Sequence, residues 1–412
     1  MHVTEPTQFK ALPRHHKRRL WIISFVVFLV LAALTYVALL YFRPLPPVNA
    51  AKVNIMLPAA QSVSLAWPNY GQAAIGADGF GLLANHGTQT PAPAASTAKL
   101  ISALAILKQK PITTGQTGPM ITLTNDDVDI YNDYYARGGS VVAVEAGEQL
   151  NEYQALQAML LPSANNMADS LARWAFGSTD NYVKYANQLA ASLGMNNTHI
   201  TDASGFSPDT KSTATDMVIL AQAALKEPII MEIAGQKEAT IPVEGAVQNI
   251  NRLLGQDGVV GIKTGNTDEA GGCFVLAAVH TLPDGKKVTI VSAVMGAPTL
   301  SASMTDSLTL LKSSYSGFQT QTIMHKNQSV AAYQSAWGSN ATAVLSNDVQ
   351  VLNWIGRPVT LSTNLGEITT PAKSGQQAAE LNLVVNGNES SVKAYLNQTI
   401  PAPSLKWRLT RN

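Results

Sequence analysis

Ser96 and Lys99, in Pro91-Ala-Pro-Ala-Ala-Ser96-Thr-Ala-Lys99-Leu-Ile-Ser-Ala-Leu-Ala-Ile-Leu107, pair a hydroxyl with an amine three residues apart. Proline breaks the approach, and the alanine- and leucine-rich run after Ser96 favours helix. At the start of a helix, residues three apart are neighbours on one face, where free backbone N–H groups also gather. A serine beside a base, next to unpaired backbone donors, has the parts of a nucleophile with an oxyanion site. Alone, the same residues read more readily as a helix N-cap serine followed by a solvated lysine one turn on.

Two further motifs change that balance. Leu160-Leu-Pro-Ser163-Ala-Asn165-Asn-Met-Ala sets a serine two residues before an asparagine, after an apolar helical stretch. Gly261-Ile-Lys263-Thr264-Gly265-Asn266-Thr267 puts a lysine and a threonine on a strand. Ser163 could simply cap a helix and Lys263 could end an exposed strand. Three such motifs in the order S-x-x-K, S-x-N, K-T-G leave little room for coincidence.

The elements that must position them follow from hydropathy. Residues 1–19 form a polar tail ending in Arg14-His-His-Lys-Arg-Arg19, and Leu20 to Phe42 carries no charge. A helix of that length covers roughly 35 Å, enough for a hydrocarbon core of about 30 Å. The basic cluster in front of it places the N-terminus in the cytoplasm and the rest of the chain outside. Residues 20–42 are therefore expected to be an uncleaved transmembrane helix in the cytoplasmic membrane. Residues 43–54, with Arg43-Pro-Leu-Pro-Pro-Val48, read as a stiff extended stalk.

A folded domain is expected over 55–318. Tyr70 to Asn85 reads as a hairpin, Leu150 to Trp174, Asn181 to Leu193 and Ser212 to Leu225 as helices, and Met304 to Leu311 as a closing helix. Val259–Gly265, Cys273–His280 and Val288–Val294 read as consecutive strands, with Asp284-Gly285 turning the last pair. Strands at both ends with helices between predict one sheet assembled from distant parts of the chain. Over 319–412 short strands recur at 329–333, 342–345, 359–362, 381–385 and 391–396, with Asn386-Gly387 as a hairpin turn. A small β-sandwich is expected there.

Composition excludes several functions. A net charge of +1 offers no electrostatic footprint for nucleic acid. A single cysteine, Cys273, in an apolar run, excludes an internal disulfide and a Cys-based zinc site. No G-x-S-x-G elbow or H-E-x-x-H occurs, and no cofactor or metal is expected.

With these three motifs the sequence resembles the penicillin-binding D-alanyl-D-alanine carboxypeptidases, the low-molecular-mass group. The likeness extends to Gly139-Ser140, Ala190-Ala-Ser-Leu-Gly-Met195, Gly205-Phe206, Ser212-Thr-Ala-Thr-Asp216, Asn249-Ile-Asn-Arg-Leu-Leu254 and Ser292-Ala-Val-Met-Gly296, over about residues 55–318. It implies an α/β fold: a serine β-lactamase/transpeptidase-like domain, mostly antiparallel sheet covered by helices, followed by the family's small β-rich accessory domain. It also implies peptidoglycan stem peptides ending in D-Ala-D-Ala as substrate, β-lactams as inhibitors, and an acyl-enzyme on Ser96.

Lys99 would take the serine proton. Having a lysine neutral at pH 7 costs roughly 4.6 kcal/mol from a pKa near 10.4, which burial and a like charge at Lys263 can meet. Lys263 and Thr264 would bind the substrate carboxylate, Ser163 relay a proton to the leaving amine, and Asn165 hold the substrate amide. Gly265 and Asn266 complete the substrate strand, with the N–H groups of Ser96 and Asn266 as the implied oxyanion hole.

The sequence departs from the family pattern twice. Asn266 stands where many members carry histidine, and Ala297-Pro-Thr-Leu-Ser-Ala-Ser-Met304 lacks the arginine that pairs with the substrate carboxylate. Arg137 and Arg252 are the candidate substitutes. An endopeptidase cutting cross-links would use the same residues, and a non-catalytic wall-binding or β-lactam-sensing protein is the rival of a different class. A class A β-lactamase would need a deacylating glutamate, yet neither Glu227 nor Glu232 begins E-x-x-x-N.

Overall fold

The computed structural model describes residues 14–411, so most of the expected cytoplasmic tail lies outside the described residues. Helix α1 spans Arg14–Phe42, and within His16–Phe42 an 18-residue window has a mean hydropathy of 2.7 and is wholly unburied. It is long and apolar enough to cross a membrane, by length and composition.

One five-stranded antiparallel sheet organises the middle of the chain. Its order is Val259–Thr267, Gly271–Thr281, Lys287–Ala297, Gln72–Ala77, Gly81–His86, so the first hairpin closes against a strand more than two hundred residues later. Alternate residues point to opposite faces of a strand. Ala74, Val275, Ala277, Val291 and Ala293 accordingly enter the larger core, while Ala73, Ile75, Phe274, Leu276, Ile290 and Val294 enter a second one.

The larger core is covered by helices α2 (Lys99–Gln109), α4 (Glu152–Leu160), α5 (Asn165–Phe176), α6 (Thr179–Ser192), α7 (Ala214–Leu225) and α8 (Pro228–Ala234), with α3 (Asn125–Ala136) beside α5. Helix α9 (Leu300–Ser313) covers the second. The fold class is that expected, an antiparallel sheet sandwiched by helices.

The helical stretch 150–174 is divided. Pro162 breaks the ladder and Ser163 takes a left-handed conformation, φ +67°, so α4 and α5 are separate helices with the S-x-N motif at their joint. Helix α3 was not anticipated, since its sequence is too polar to show an apolar stripe. Its start is marked by Asp127, whose carboxylate accepts from the Thr124 N–H at 2.8 Å.

All five expected C-terminal strands lie in a six-stranded sheet, and Asn386 and Gly387 both take positive φ in the turn between Gln377–Val385 and Asn388–Leu396. A separate pair, Phe318–Met324 with Val349–Trp354, accompanies it. The stalk expectation needs correction: Asn49–Lys52 is the edge strand of that sheet, paired with Ser329–Gln334 in the register Ala50↔Tyr333. Asn-Ala-Ala-Lys has no strand pattern of its own, so its backbone ladder is supplied by a neighbour remote in sequence. The last helix, α10 (Leu405–Thr410), returns to the end of α1, where Arg408 donates to the Tyr41 carbonyl at 2.8 Å.

Candidate active site

Ser96 lies in a 3₁₀ turn, Ala95–Ala98, that runs directly into α2. With three residues per turn, positions i and i+3 eclipse each other, which brings Lys99 Nζ to 2.8 Å from Ser96 Oγ. Ser96 is half-buried and open to a ligand, whereas Lys99 is wholly buried.

Lys99 also donates to Asn165 Oδ1 at 2.6 Å and to the Ser204 carbonyl at 2.9 Å. Both of those oxygens can only accept. A neutral amine has two N–H groups and one lone pair. The two acceptors use the N–H groups and leave the lone pair to face the serine hydroxyl. The arrangement therefore suits a base aimed at Ser96, and α5 supplies half of it by starting at Asn165.

The third motif lies on the edge strand Val259–Thr267, packed along the 3₁₀ turn. Lys263 Nζ donates to Ser163 Oγ at 2.9 Å and to the Thr264 carbonyl at 3.0 Å, so the left-handed backbone at Ser163 serves to aim its hydroxyl at Lys263. Gly265 explains the glycine of the motif. A Cβ there would stand 2.9 Å from the backbone nitrogens of both Ser96 and Thr97. The strand approaches the free N–H groups of the turn more closely than any side chain permits. Asn266 follows, exposed, and Thr264 is buried.

The structure thus brings all eight expected residues, Ser96, Lys99, Ser163, Asn165, Lys263, Thr264, Gly265 and Asn266, to one region between the 3₁₀ turn, the α4–α5 joint and the edge strand. One detail differs from the sequence reading. Asn165 turns its oxygen to Lys99 rather than leaving both amide atoms for a substrate.

The electrostatics also differ in detail. Burial is the main cause that brings the Lys99 ammonium down to about 7, and nearby Asp202 and Asp169 hold it from falling further. Lys263 is pushed well below the ordinary lysine range, by burial first and by Lys99 second. Repulsion between two ammonium groups is mutual, so the neighbours decide which keeps its proton. Lys99 faces two carboxylates, while Lys263 meets only hydroxyl and carbonyl oxygens, which favours the proton on Lys99 until an anion arrives.

Ser204, Asp202, Asp169 and Tyr134 were not singled out from sequence. Ser204 Oγ donates to Asp202 Oδ2 at 2.7 Å, and Tyr134 donates to Asp169 Oδ2 at 2.8 Å, with the two hydroxyls 3.2 Å apart. The one available signal was Asp169 four residues after Asn165, on the same helix face.

Of the arginine candidates, Arg137 pairs with Asp133 at 3.0 Å and lies over the Phe206 and Tyr134 rings, beside the Ser204 wall. Arg252 belongs to a polar pocket with Lys237, Gln248 and Gln256, whose turn abuts Val259. Four extended residues, roughly 13 Å, separate that end of the strand from Lys263. Glu232 accepts from the Tyr153 hydroxyl and Glu227 precedes α8, so neither sits among these residues.

The profile of the Peptidase S11 family, D-alanyl-D-alanine carboxypeptidase, matches residues 75–299, more than half of the chain. The chain belongs to that family. It is similar to the D-alanyl-D-alanine carboxypeptidase DacA of Escherichia coli, with 29% identity over 278 residues that cover 65% of this chain and 67% of that protein. DacF of Bacillus subtilis is 27% identical over 275 residues, covering 62% and 69% of the two chains. The crystal structure of penicillin binding protein 5 from Haemophilus influenzae superposes with a TM-score of 0.56 and 20% identity, over 83% of this chain and 99% of that one. That likeness speaks for the fold. The S11 match contains all three motifs, from Ser96 to Asn266.

Proposed function

We propose that this S11 carboxypeptidase hydrolyses the terminal D-Ala–D-Ala bond of peptidoglycan stem peptides through an acyl-enzyme on Ser96. The substrate carboxylate binds Lys263 and Thr264 and favours the protonated form of Lys263. Mutual repulsion then discharges Lys99, whose lone pair takes the Ser96 proton as Oγ attacks the carbonyl carbon. The oxyanion is held by the N–H groups of Ser96 and Asn266. As the C–N bond breaks, the proton that Lys99 took from Ser96 passes to the leaving amine by way of Ser163, which is already hydrogen-bonded to Lys263, and Lys99 is neutral again. Water, deprotonated in turn by Lys99, hydrolyses the ester.

The observation that carries this reading is the environment of Lys99: two pure acceptors and the Ser96 hydroxyl around one buried amine. A β-lactam would acylate the same serine. Cross-link cleavage is the second reading, favoured by the cation-free segment Ala297–Met304, whose Thr299 caps α9 by accepting from the Ala302 N–H at 3.1 Å.

Helix α1 acts as an anchor, with the catalytic domain outside. Supporting this, the residues just after α1 are built into the fold through the strand Asn49–Lys52 and the Arg408 contact to Tyr41. The test is labelled-penicillin binding and D-alanine release by wild type and Ser96→Ala. Wild type should do both and Ser96→Ala neither; labelling of the alanine variant would refute the assignment.

A further inference from the structure

Beyond the Ser204 carbonyl that Lys99 binds lie two half-buried carboxylates that the proposed reaction does not use. They come from different elements, Asp169 from α5 and Asp202 from the loop before Gly205. Asp202 is fully engaged: Ser204 Oγ donates to it at 2.7 Å, the Phe206 N–H at 2.9 Å and the Thr210 hydroxyl at 2.5 Å. Asp169 is not. Its Oδ2 accepts from Tyr134, and its Oδ1 is sealed from solvent with no well-formed hydrogen bond, only the nearby Ala203 N–H favouring its charge. An unpartnered carboxylate oxygen in such a place is costly unless something compensates its charge. The cation available is Lys99, reached across the Ser204 backbone that accepts its proton.

We infer that Asp169 is a positioning residue for Lys99, which holds the proton on that lysine in the resting enzyme and sets the pH above which the lysine becomes the base. The inference rests on the reading of Lys99 as the base for Ser96. The two hydroxyls between the groups have one hydrogen each. Ser204 gives its hydrogen to Asp202 and Tyr134 gives its own to Asp169, so the wall is polarised toward the carboxylates and its Ser204 carbonyl toward Lys99.

The charged and titratable groups facing the pair are few. Lys99 meets Asp169, Asp202 and Lys263; Asp169 meets Tyr134, Asp202 and Lys99, with Tyr182 of α6 nearby and bonded to Ser102 at 2.7 Å. Burial first, and Asp202 in addition, push the Asp169 carboxyl up to about 6. Asp169 is therefore charged, and its pull on Lys99 present, over the range in which Lys99 itself titrates.

The sign follows. Acylation needs neutral Lys99, so its rate rises as pH climbs through the lysine pKa. Removing the Asp169 charge lowers that pKa and moves the rise to lower pH. Tyr134→Phe removes a donor that favours ionised Asp169, which raises the aspartate pKa and should move the rise the same way by less.

The experiment is the second-order rate of labelling by a fluorescent penicillin from pH 5 to 9, on the full chain in detergent. For Asp169→Asn, an isosteric change, the acid limb should shift down by about half a pH unit or more. Labelling at pH 6 would then exceed wild type about threefold, with rates at pH 9 within about twofold. An acid limb unmoved in both variants, or a loss of equal factor at every pH, overturns the inference. Should Asp169→Asn not fold, Tyr134→Phe decides it by the same criterion. Absence of labelling in wild type, or labelling of Ser96→Ala, would instead overturn the Ser96 reading beneath it.

Discussion

Gly265→Ala tests whether the close approach of strand and turn is what forms the oxyanion site. The new Cβ would fall 2.9 Å from the nitrogens of Ser96 and Thr97 and 3.0 Å from Ala95 Cβ. All three neighbours are backbone or short side chain, so nothing flexible can move aside. The strand must retreat by about 0.5 Å, and an alignment error of about 1 Å in a reacting site can cost 10²-fold. Complete loss of one oxyanion donor costs about 10²–10³.

We therefore expect a fall of about 10- to 100-fold in acylation, about 1.4–2.7 kcal/mol in activation free energy. The strand's ladder to Gly271–Thr281 remains in place, so the melting temperature should change by only a few degrees. Stopped-flow acylation with a reporter β-lactam, beside a thermal melt, measures both. Acylation within threefold of wild type would refute the argument, because the strand would then not set the position of those N–H groups. A collapse of the melting temperature would show that Gly265 serves packing instead.

Lys99→Arg should nearly abolish labelling, since guanidinium stays protonated and cannot take the serine proton, whereas Lys263→Arg should retain part of it and weaken substrate binding; equal, mild losses would mean that the two roles are misassigned. Arg137→Ala should raise KM for a D-Ala–D-Ala peptide and leave its C-terminal amide unaffected if this arginine reads the carboxylate, and steady-state kinetics on both peptides decide it. Glu152 is wholly buried with neither oxygen hydrogen-bonded, and burial pushes its carboxyl up to about 7 from 4.5. The folded state thus binds the proton more tightly, so the neutral acid's contribution is complete below pH 4.5 and lost as pH rises through 7. The stability gap in favour of Glu152→Gln should widen by about 1–2 kcal/mol between pH 5 and pH 8, read from denaturant midpoints; a constant gap would contradict it.

The sequence by itself determined the parts that depend on short-range order. Ser96 and Lys99 are three residues apart at a helix start, and no tertiary contact is needed to make them neighbours. The membrane-length helix and the strands after Val259 are likewise written in composition and alternation, and Asn386-Gly387 in the backbone freedom of those two residue types. What the tertiary structure alone decided involves partners far apart in the chain.

Asn165 and Ser204 surround Lys99 only because α5 and the loop before Gly205 pack on α2, and that packing turned the Asn165 oxygen inward. The causes of the Lys99 shift come from burial and from Asp169 and Asp202, none of which a local pattern reports. Lys263, read from sequence as the cation that depresses Lys99, is itself pushed well below the ordinary lysine range, by burial first and by Lys99 second, with no carboxylate among its partners. The strand Asn49–Lys52 carries no pattern because an edge strand needs only backbone groups to pair. Its place beside Ser329–Gln334 became visible only when the chain's two ends were brought together.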